Sequence, residues 1–173
     1  MTEARNANLV FVIGGARSGK STFAEARMAA LAPPWTYIAT AQAFDDEMRA
    51  RIDMHRARRD ERWRTIDAPH DLCNAVRHAP DDAPVLVDCL TLWLTNRLLA
   101  GADLVVEREA LVAALAARRA PTFVVSNEVG LGIVPDNALS RRFRDEAGFL
   151  NQAVAAIADE VHLMVAGLSI RAK

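Results

Sequence analysis

The chain has almost no excess of charge of either sign. Its 21 lysines and arginines face 22 aspartates and glutamates over 173 residues, a net charge of -1. A protein that coats polyanions carries a marked basic excess, so nucleic acid is not an expected partner. Long apolar runs are missing too. Those present, such as Leu9–Ile13, are strand-sized and too short to cross a bilayer, so membrane insertion is not expected. The chain does not open on a charged-then-apolar leader with a small-residue cleavage site, and a cytoplasmic location is expected. Cysteine is scarce. Cys73 and Cys89 are the only two, in apolar contexts and without metal-ligand spacing. They read as buried free thiols of a reducing compartment. Linkers, low-complexity tracts and internal repeats are also lacking. That leaves one domain over residues 1–173, long enough to bury a core.

What is present is an alternation of apolar, strand-like runs with helical stretches. Strands are expected at Leu9–Ile13, Trp35–Ala39, Arg64–Asp67, Val85–Cys89 and Thr122–Ser126. Helices are expected at Lys20–Leu31, Asp45–Arg59, His70–His78, Thr91–Leu99, Val106–Arg118 and Ala138–Ala158. Pro33 and Pro34 stop the first helix. Val161–Val165 and Leu168–Arg171 flank Ala166-Gly167 as a closing hairpin. The alternation predicts an α/β fold, a mostly parallel sheet with helices on both faces. Trp93, Leu94, Leu98 and Leu99 are expected in the core.

The first strand runs into Gly14-Gly15-Ala16-Arg17-Ser18-Gly19-Lys20-Ser21, which fits the P-loop pattern in its strand-loop-helix setting. Glycines let the backbone curl so that successive N–H groups face phosphate oxygens, and the helix N-terminus adds its positive dipole end. Lys20 can reach the β- and γ-phosphates, and the Ser21 hydroxyl can ligate Mg²⁺. A nucleoside triphosphate is therefore the expected ligand. Asp88, at the end of Val85-Leu86-Val87, stands where a metal or nucleotide carboxylate belongs, although it could instead cap the helix beginning near Thr91. Glu128 follows another buried strand and competes for the metal role. A P-loop does not name a reaction, because kinases, motors and switches share it.

Residues 51–63 read RIDMHRARRDERW, with five arginines around His55. Between Asp45 and Arg62 six acids balance six arginines, which argues against a nucleic-acid stripe. Met48, Ile52 and His55 fall at i, i+4 and i+7, so His55 sits at the edge of an inward helix face. On this pattern alone, a core or boundary histidine is the better reading.

The wider sequence changes that reading. GGARSGKS, YIATAQ (Tyr37–Gln42), the DDEMRARI and HR--R---WRT stretch (Asp45–Thr65), LVDCLTLWLTN (Leu86–Asn96), SNEVGLGIVP (Ser126–Pro135), RRFRDEAGFLNQ (Arg141–Gln152) and the tail VHLMVAGLSIRAK follow in order over essentially the whole length. The chain resembles the bifunctional adenosylcobinamide kinase / adenosylcobinamide-phosphate guanylyltransferase family of cobalamin biosynthesis. The resemblance implies a RecA-like P-loop NTPase fold and two activities. One phosphorylates adenosylcobinamide with a nucleoside triphosphate, GTP or ATP. The other transfers GMP from GTP to adenosylcobinamide phosphate through a GMP-histidine adduct, and His55 occupies the matching position. Arg56 and Arg59 match the HR--R positions as phosphate-binding cations, while Arg58 and Arg62 read as solvated. Flanking arginines disfavour the imidazolium and so favour a nucleophilic His55.

The resemblance also implies that Ala39, Thr40 and Ala41 line the GTP site, that Asp67 contacts guanine or ribose, and that the assembly is a homo-oligomer with a trimer as the expected number. Asp60 stands where relatives have proline, and Asp67 and Asp88 where glutamate is common. Asp60 is expected to weaken the arginines' pull on phosphate slightly. Gly130, Gly132 and Pro135 shape a loop that either covers a ligand or only turns the chain. Phe143, Arg144, Asp145, Gly148 and Asn151 share one helix, where packing, subunit contact and substrate binding all remain open. Two other readings keep a P-loop without a histidine adduct: a plain small-molecule or nucleotide kinase, and a GTP-binding regulatory module.

Overall fold

In a computed structural model, residues 8–43, 46–57 and 59–173 are described, with the side chains of Glu47, Arg51 and His55 outside that description. The elements are β1 (Leu9–Gly14), α1 (Lys20–Ala29), β2 (Trp35–Ala39), α2 (Asp46–Ala57), β3 (Trp63–Asp67), α3 (Leu72–His78) and β4 (Val85–Asp88). They continue with α4 (Leu90–Leu99), α5 (Leu104–Ala116), β5 (Thr122–Asn127), α6 (Ala138–Ile157), β6 (Glu160–Val165) and β7 (Leu168–Arg171). The strands form one sheet in the order β3-β2-β4-β5-β1-β6-β7, parallel throughout except for the β6–β7 hairpin. Every expected element is present, and its ends differ by a few residues at most. Capping explains the clearest shift. Asp103 Oδ1 accepts from the amides of Val105 and Val106, so α5 begins at Leu104 and not at Val106.

Period-two alternation splits the strands between two cores. Leu9, Phe11, Val85, Val87 and Val124 pack with α3, α4, α5 and α6 on one face. Val10, Val12, Trp35, Tyr37, Leu86 and Val125 pack with Ala24 and Met28 of α1 on the other. Trp93, Leu94 and Leu98 are buried as expected, but Leu99 is 62% exposed. Leu99 lies about 100° around α4 from Leu98, which turns it off the buried stripe. Cys89 is a buried free thiol, whereas Cys73 is only half-buried. No helix among the described residues is long and apolar enough to cross a membrane.

Parallel order sends the C-terminal ends of β1, β2, β4 and β5 to one edge, where α/β sheets open their ligand crevices. The strand carrying Asp88 is not beside the P-loop strand. One strand, β5, lies between β4 and β1.

Candidate nucleotide site

A cleft of about 680 Å³ opens at that edge, within the size range of small-molecule sites. Its floor is the loop after β1. Gly19 takes φ +94°, Arg17 is left-handed at φ 56°, and α1 begins on Gly19 with no side-chain cap. The first-turn amides of α1 thus have no partner within the helix or from a capping side chain, the arrangement that receives an anion. Lys20 is buried, and its Nζ donates to the Gly15 carbonyl at 2.5 Å. Burial lowers its pKa, while the nearby Cys89 and Asp88 oppose the shift.

The loop is wedged against the C-terminal hairpin. The Gly167 amide donates to the Ser18 carbonyl at 3.0 Å, and a Cβ on Gly14 would stand 2.5 Å from the Met164 carbonyl oxygen. Gly14 therefore braces the cradle and the Gly15 carbonyl anchors Lys20, while Ala16, Arg17, Ser18, Gly19, Lys20 and Ser21 line it.

The side walls come from three other elements. Ala39, Ala41, Asp67 and Asp88 line the cleft at the ends of β2, β3 and β4. Thr40 does not. It is fully buried, with its Oγ1 donating to the Cys89 carbonyl at 2.7 Å and accepting from the Cys89 amide at 2.8 Å, so it ties β2 to β4. Asp88 does not cap α4, which starts on Cys89 without a side-chain cap bond. Instead Asp88 Oδ2 accepts from the Tyr37 hydroxyl at 3.1 Å. The competing Glu128 bends back onto the Gly130 amide and is not among the residues lining the cleft.

Helix α2 forms the outer wall through Met48, Ile52, Asp53 and Arg56, with Arg59 just beyond its end. Met48 and Ile52, two members of the inward face expected from the spacing, thus face the cleft. His55 lies on this helix, and its side chain is outside the described residues. Arg56 Nη2 bonds both oxygens of Asp67 at 3.2 Å, so Asp67 is the partner of a cation across the cleft. Both side chains are more than half exposed, and the pair is weak enough to exchange for a ligand.

Arg59 stacks on Tyr37, its guanidinium carbon 3.8 Å from the ring centre. Arg62 is engaged as well as exposed, paired with Asp60 at 2.6 Å and 4.8 Å over Trp35. The Asp60 charge is taken up by Arg62, whose hydrogen bonds hold the Asp60 carboxyl below its usual pKa range. That charge is spent on Arg62, and no bond joins Asp60 to Arg56 or Arg59. Arg58 is outside the described residues.

Among the described residues, two that line the cleft hold buried donors without a protein partner, Ser18 Oγ and Arg59 Nη1. Unpaired buried donors are costly, and a phosphate's oxygens would satisfy both. Ser21 and Asp88 offer one hydroxyl and one carboxylate, and no cluster of three metal-binding side chains occurs among the described residues. This set fits Mg²⁺, which takes few protein ligands and completes its shell with phosphate oxygens and water.

Tyr37, Leu92, Cys89 and Asn127 also line the cleft and were not picked out from the sequence as site residues. Tyr37 lies two residues before Ala39 on one strand face, a signal that was legible in principle. Away from the cleft, the loop of Gly130, Gly132 and Pro135 exposes both glycines, with Leu131 at 88% and Ile133 at 97%, while Pro135 is half-buried. On α6, Asn151 is buried, accepting from Ser126 Oγ at 2.7 Å and donating to the Asn127 carbonyl at 3.2 Å. These two bonds tie α6 to the end of β5.

Comparison with known proteins points one way. A family model described as cobinamide kinase / cobinamide phosphate guanyltransferase matches residues 10–172. The bifunctional adenosylcobalamin biosynthesis protein CobP of Pseudomonas aeruginosa is 50% identical over 165 residues, covering 94% of this chain and 95% of that protein. The bifunctional adenosylcobalamin biosynthesis protein CobU of Salmonella typhimurium is 43% identical over 182 residues, covering 95% and 99%. Among solved structures, a protein from Pyrococcus horikoshii OT3 aligns with a TM-score of 0.54 at 11% identity, covering 96% of this chain and 86% of that one. A prototypical ATPase from a bacterial type III secretion system gives 0.52 at 11% identity, covering 95% and 56%. At such identities the likeness shows the fold alone, an α/β sheet of the P-loop NTPase kind.

Proposed function

The chain belongs to the cobinamide kinase / cobinamide phosphate guanyltransferase family, and on that premise we propose that this one cleft serves both reactions, with His55 as the covalent GMP carrier. The observation that carries the reading is the facing of two walls. Ser18, Lys20 and Ser21 of the phosphate cradle lie across from α2, the helix that bears His55 and Arg56 and leads to Arg59.

In the first reaction the cradle holds ATP or GTP. The aminopropanol hydroxyl of adenosylcobinamide attacks the γ-phosphorus, the bond to the β-phosphate oxygen breaks, and the nucleoside diphosphate leaves. Lys20 and the first-turn amides of α1 bear the charge that builds on the β- and γ-phosphates. Ser21 and Asp88 would hold Mg²⁺, which supplies further neutralisation of phosphate charge when bound.

In the second reaction a ring nitrogen of His55 attacks the α-phosphorus of GTP. A P–N bond forms and pyrophosphate departs. A phosphate oxygen of adenosylcobinamide phosphate then attacks the same phosphorus, giving adenosylcobinamide-GDP and restoring free His55. Splitting the transfer in two replaces one difficult displacement by two easier ones. Arg56 suits this step because it can leave Asp67 for the phosphate, and Arg59 because its Nη1 is buried without a partner among the described residues while its face rests on Tyr37. A homo-oligomer, as a trimer, would give the large corrinoid a second wall.

The test is incubation with Mg²⁺ and GTP labelled at either the α- or the γ-phosphate, for wild type and His55→Ala. The expected result is an acid-labile, alkali-stable label on the protein from α-labelled GTP only, absent in His55→Ala. Unlabelled wild type with no pyrophosphate release would leave a plain kinase or a nucleotide switch in place of the proposal.

A further inference from the structure

We propose that Tyr37 is a positioning residue that serves both sides of the cleft, its hydroxyl aiming the Asp88 carboxylate and its ring carrying the Arg59 guanidinium. The inference rests on the reading above, in which Asp88 faces the metal and Arg59 the phosphate.

Tyr37 is the only tyrosine in the chain and sits mid-strand on β2, between β3 and β4. It is 4% exposed, and Trp63 meets its ring edge-on at 6.3 Å and 75°. A tyrosine placed only to fill this volume would be matched by phenylalanine, since the hydroxyl must be desolvated. Here the hydroxyl meets a charged partner at the cleft. Among the described residues it makes the one hydrogen bond to the Asp88 side chain, at 3.1 Å on Oδ2. Fixing Oδ2 sets the carboxylate plane and leaves Oδ1 for a cation. Burial, then the Asp88 charge, drive the phenol's pKa above its ordinary range, so the hydroxyl remains a donor throughout the working pH range.

The ring does a second job with its other surface. Arg59 lies 3.8 Å over it, close enough for both stacking and cation–π attraction. Stacking leaves the guanidinium edge free for hydrogen bonds, and Nη1 is buried without one among the described residues. Arg59 follows the last turn of α2, and among the described residues its side chain has no ion pair and meets the Tyr37 ring. One side chain thereby links the carboxylate at the end of β4 to a cation just beyond α2.

Tyr37→Phe separates the two functions, because it keeps the ring and removes the hydroxyl. The primary readout is binding of a fluorescent GTP analogue titrated with Mg²⁺, which needs no turnover. The half-saturating Mg²⁺ concentration should rise roughly tenfold, as for a lost hydrogen bond to a charged group. Tyr37→Leu should add a several-fold loss in the rate of protein labelling by α-labelled GTP at saturating Mg²⁺, the part owed to Arg59. Asp88→Asn serves as the reference. If Asp88→Asn shifts the Mg²⁺ requirement and Tyr37→Phe does not, the proposal falls and the reading of Asp88 stands. If Asp88→Asn has no effect either, the reading of Asp88 fails and takes the hydroxyl's role with it. Tyr37→Phe conserves volume and fold, so it decides the hydroxyl's role even if the leucine variant is too unstable to assay.

Discussion

Gly19 shows how narrowly single positions constrain this site. Its φ of +94° lies in the left-handed half of the map, and an added Cβ would come 3.3 Å from the Gly167 Cα. A side chain there meets both backbone strain and crowding from the hairpin, so Gly19→Ala should lower stability by about 1–2 kcal/mol on the conformational term alone. Chemical denaturation of the variant measures this, and an unchanged midpoint would show that the loop relaxes freely. The P-loop residues were legible because each obeys a local rule of turn, dipole or reach. Tyr37 was not picked out, since a lone aromatic in a strand looks like core until the strand's neighbours are known. The Arg56–Asp67 pair was also hidden. Its members lie on α2 and β3 and meet only through the fold.

At the scale of elements, the hairpin of β6 and β7 is more than a closing flap. Its turn touches the P-loop, and its base carries Glu160, His162 and Ser169 in a chain. His162 Nε2 and Glu160 Oε2 lie 2.8 Å apart, and His162 Nδ1 and Ser169 Oγ also 2.8 Å. A carboxylate only accepts, so Nε2 carries the proton and the serine hydroxyl can donate to Nδ1. Arg27 of α1 bonds the same Glu160 oxygen at 3.2 Å.

The His162 bond, then Arg27, hold the Glu160 carboxyl below its ordinary pKa of 4.5. A depressed carboxyl stabilises the fold above its unfolded value, and the gain is lost as pH falls through the folded one. Melting temperature should therefore drop below about pH 4.5, and Glu160→Gln should flatten part of that drop while lowering stability near neutrality. Thermal melts of both proteins across pH 3–7 check it; parallel curves would remove Glu160 from the account. Element types and order were readable from periodicity. Ends were less so, because caps such as Asp103 act one turn outside the apolar pattern.

For the whole molecule, the ligand is part of the stability. Anything that binds only the folded state adds RT ln(1 + [L]/Kd), about 2.7 kcal/mol at a hundredfold excess over Kd. For a chain of 173 residues that is a rise of roughly 5–11 °C in Tm. GTP with Mg²⁺ should give such a shift in a thermal melt. Lys20→Met should abolish it while leaving the unliganded protein folded, and a shift retained in that variant would place the nucleotide elsewhere. The α/β architecture and its parallel sheet could be foreseen, since alternating strands and helices admit few other solutions. The position of β5 between the strands carrying the P-loop and Asp88 has no local signature, because strand order depends on which crossovers pack.

That order has a consequence for how the protein is made. Val10 pairs with Phe123 on one side and Glu160 on the other, so the strand leading into the phosphate loop has both neighbours far down the chain. A ribosome releases the loop before the strands that brace it. Nascent chains would carry the most informative motif of the sequence long before it could hold a nucleotide. Synthesis runs from the N-terminus, so β1 and its loop must wait for β5 and β6 before they can function.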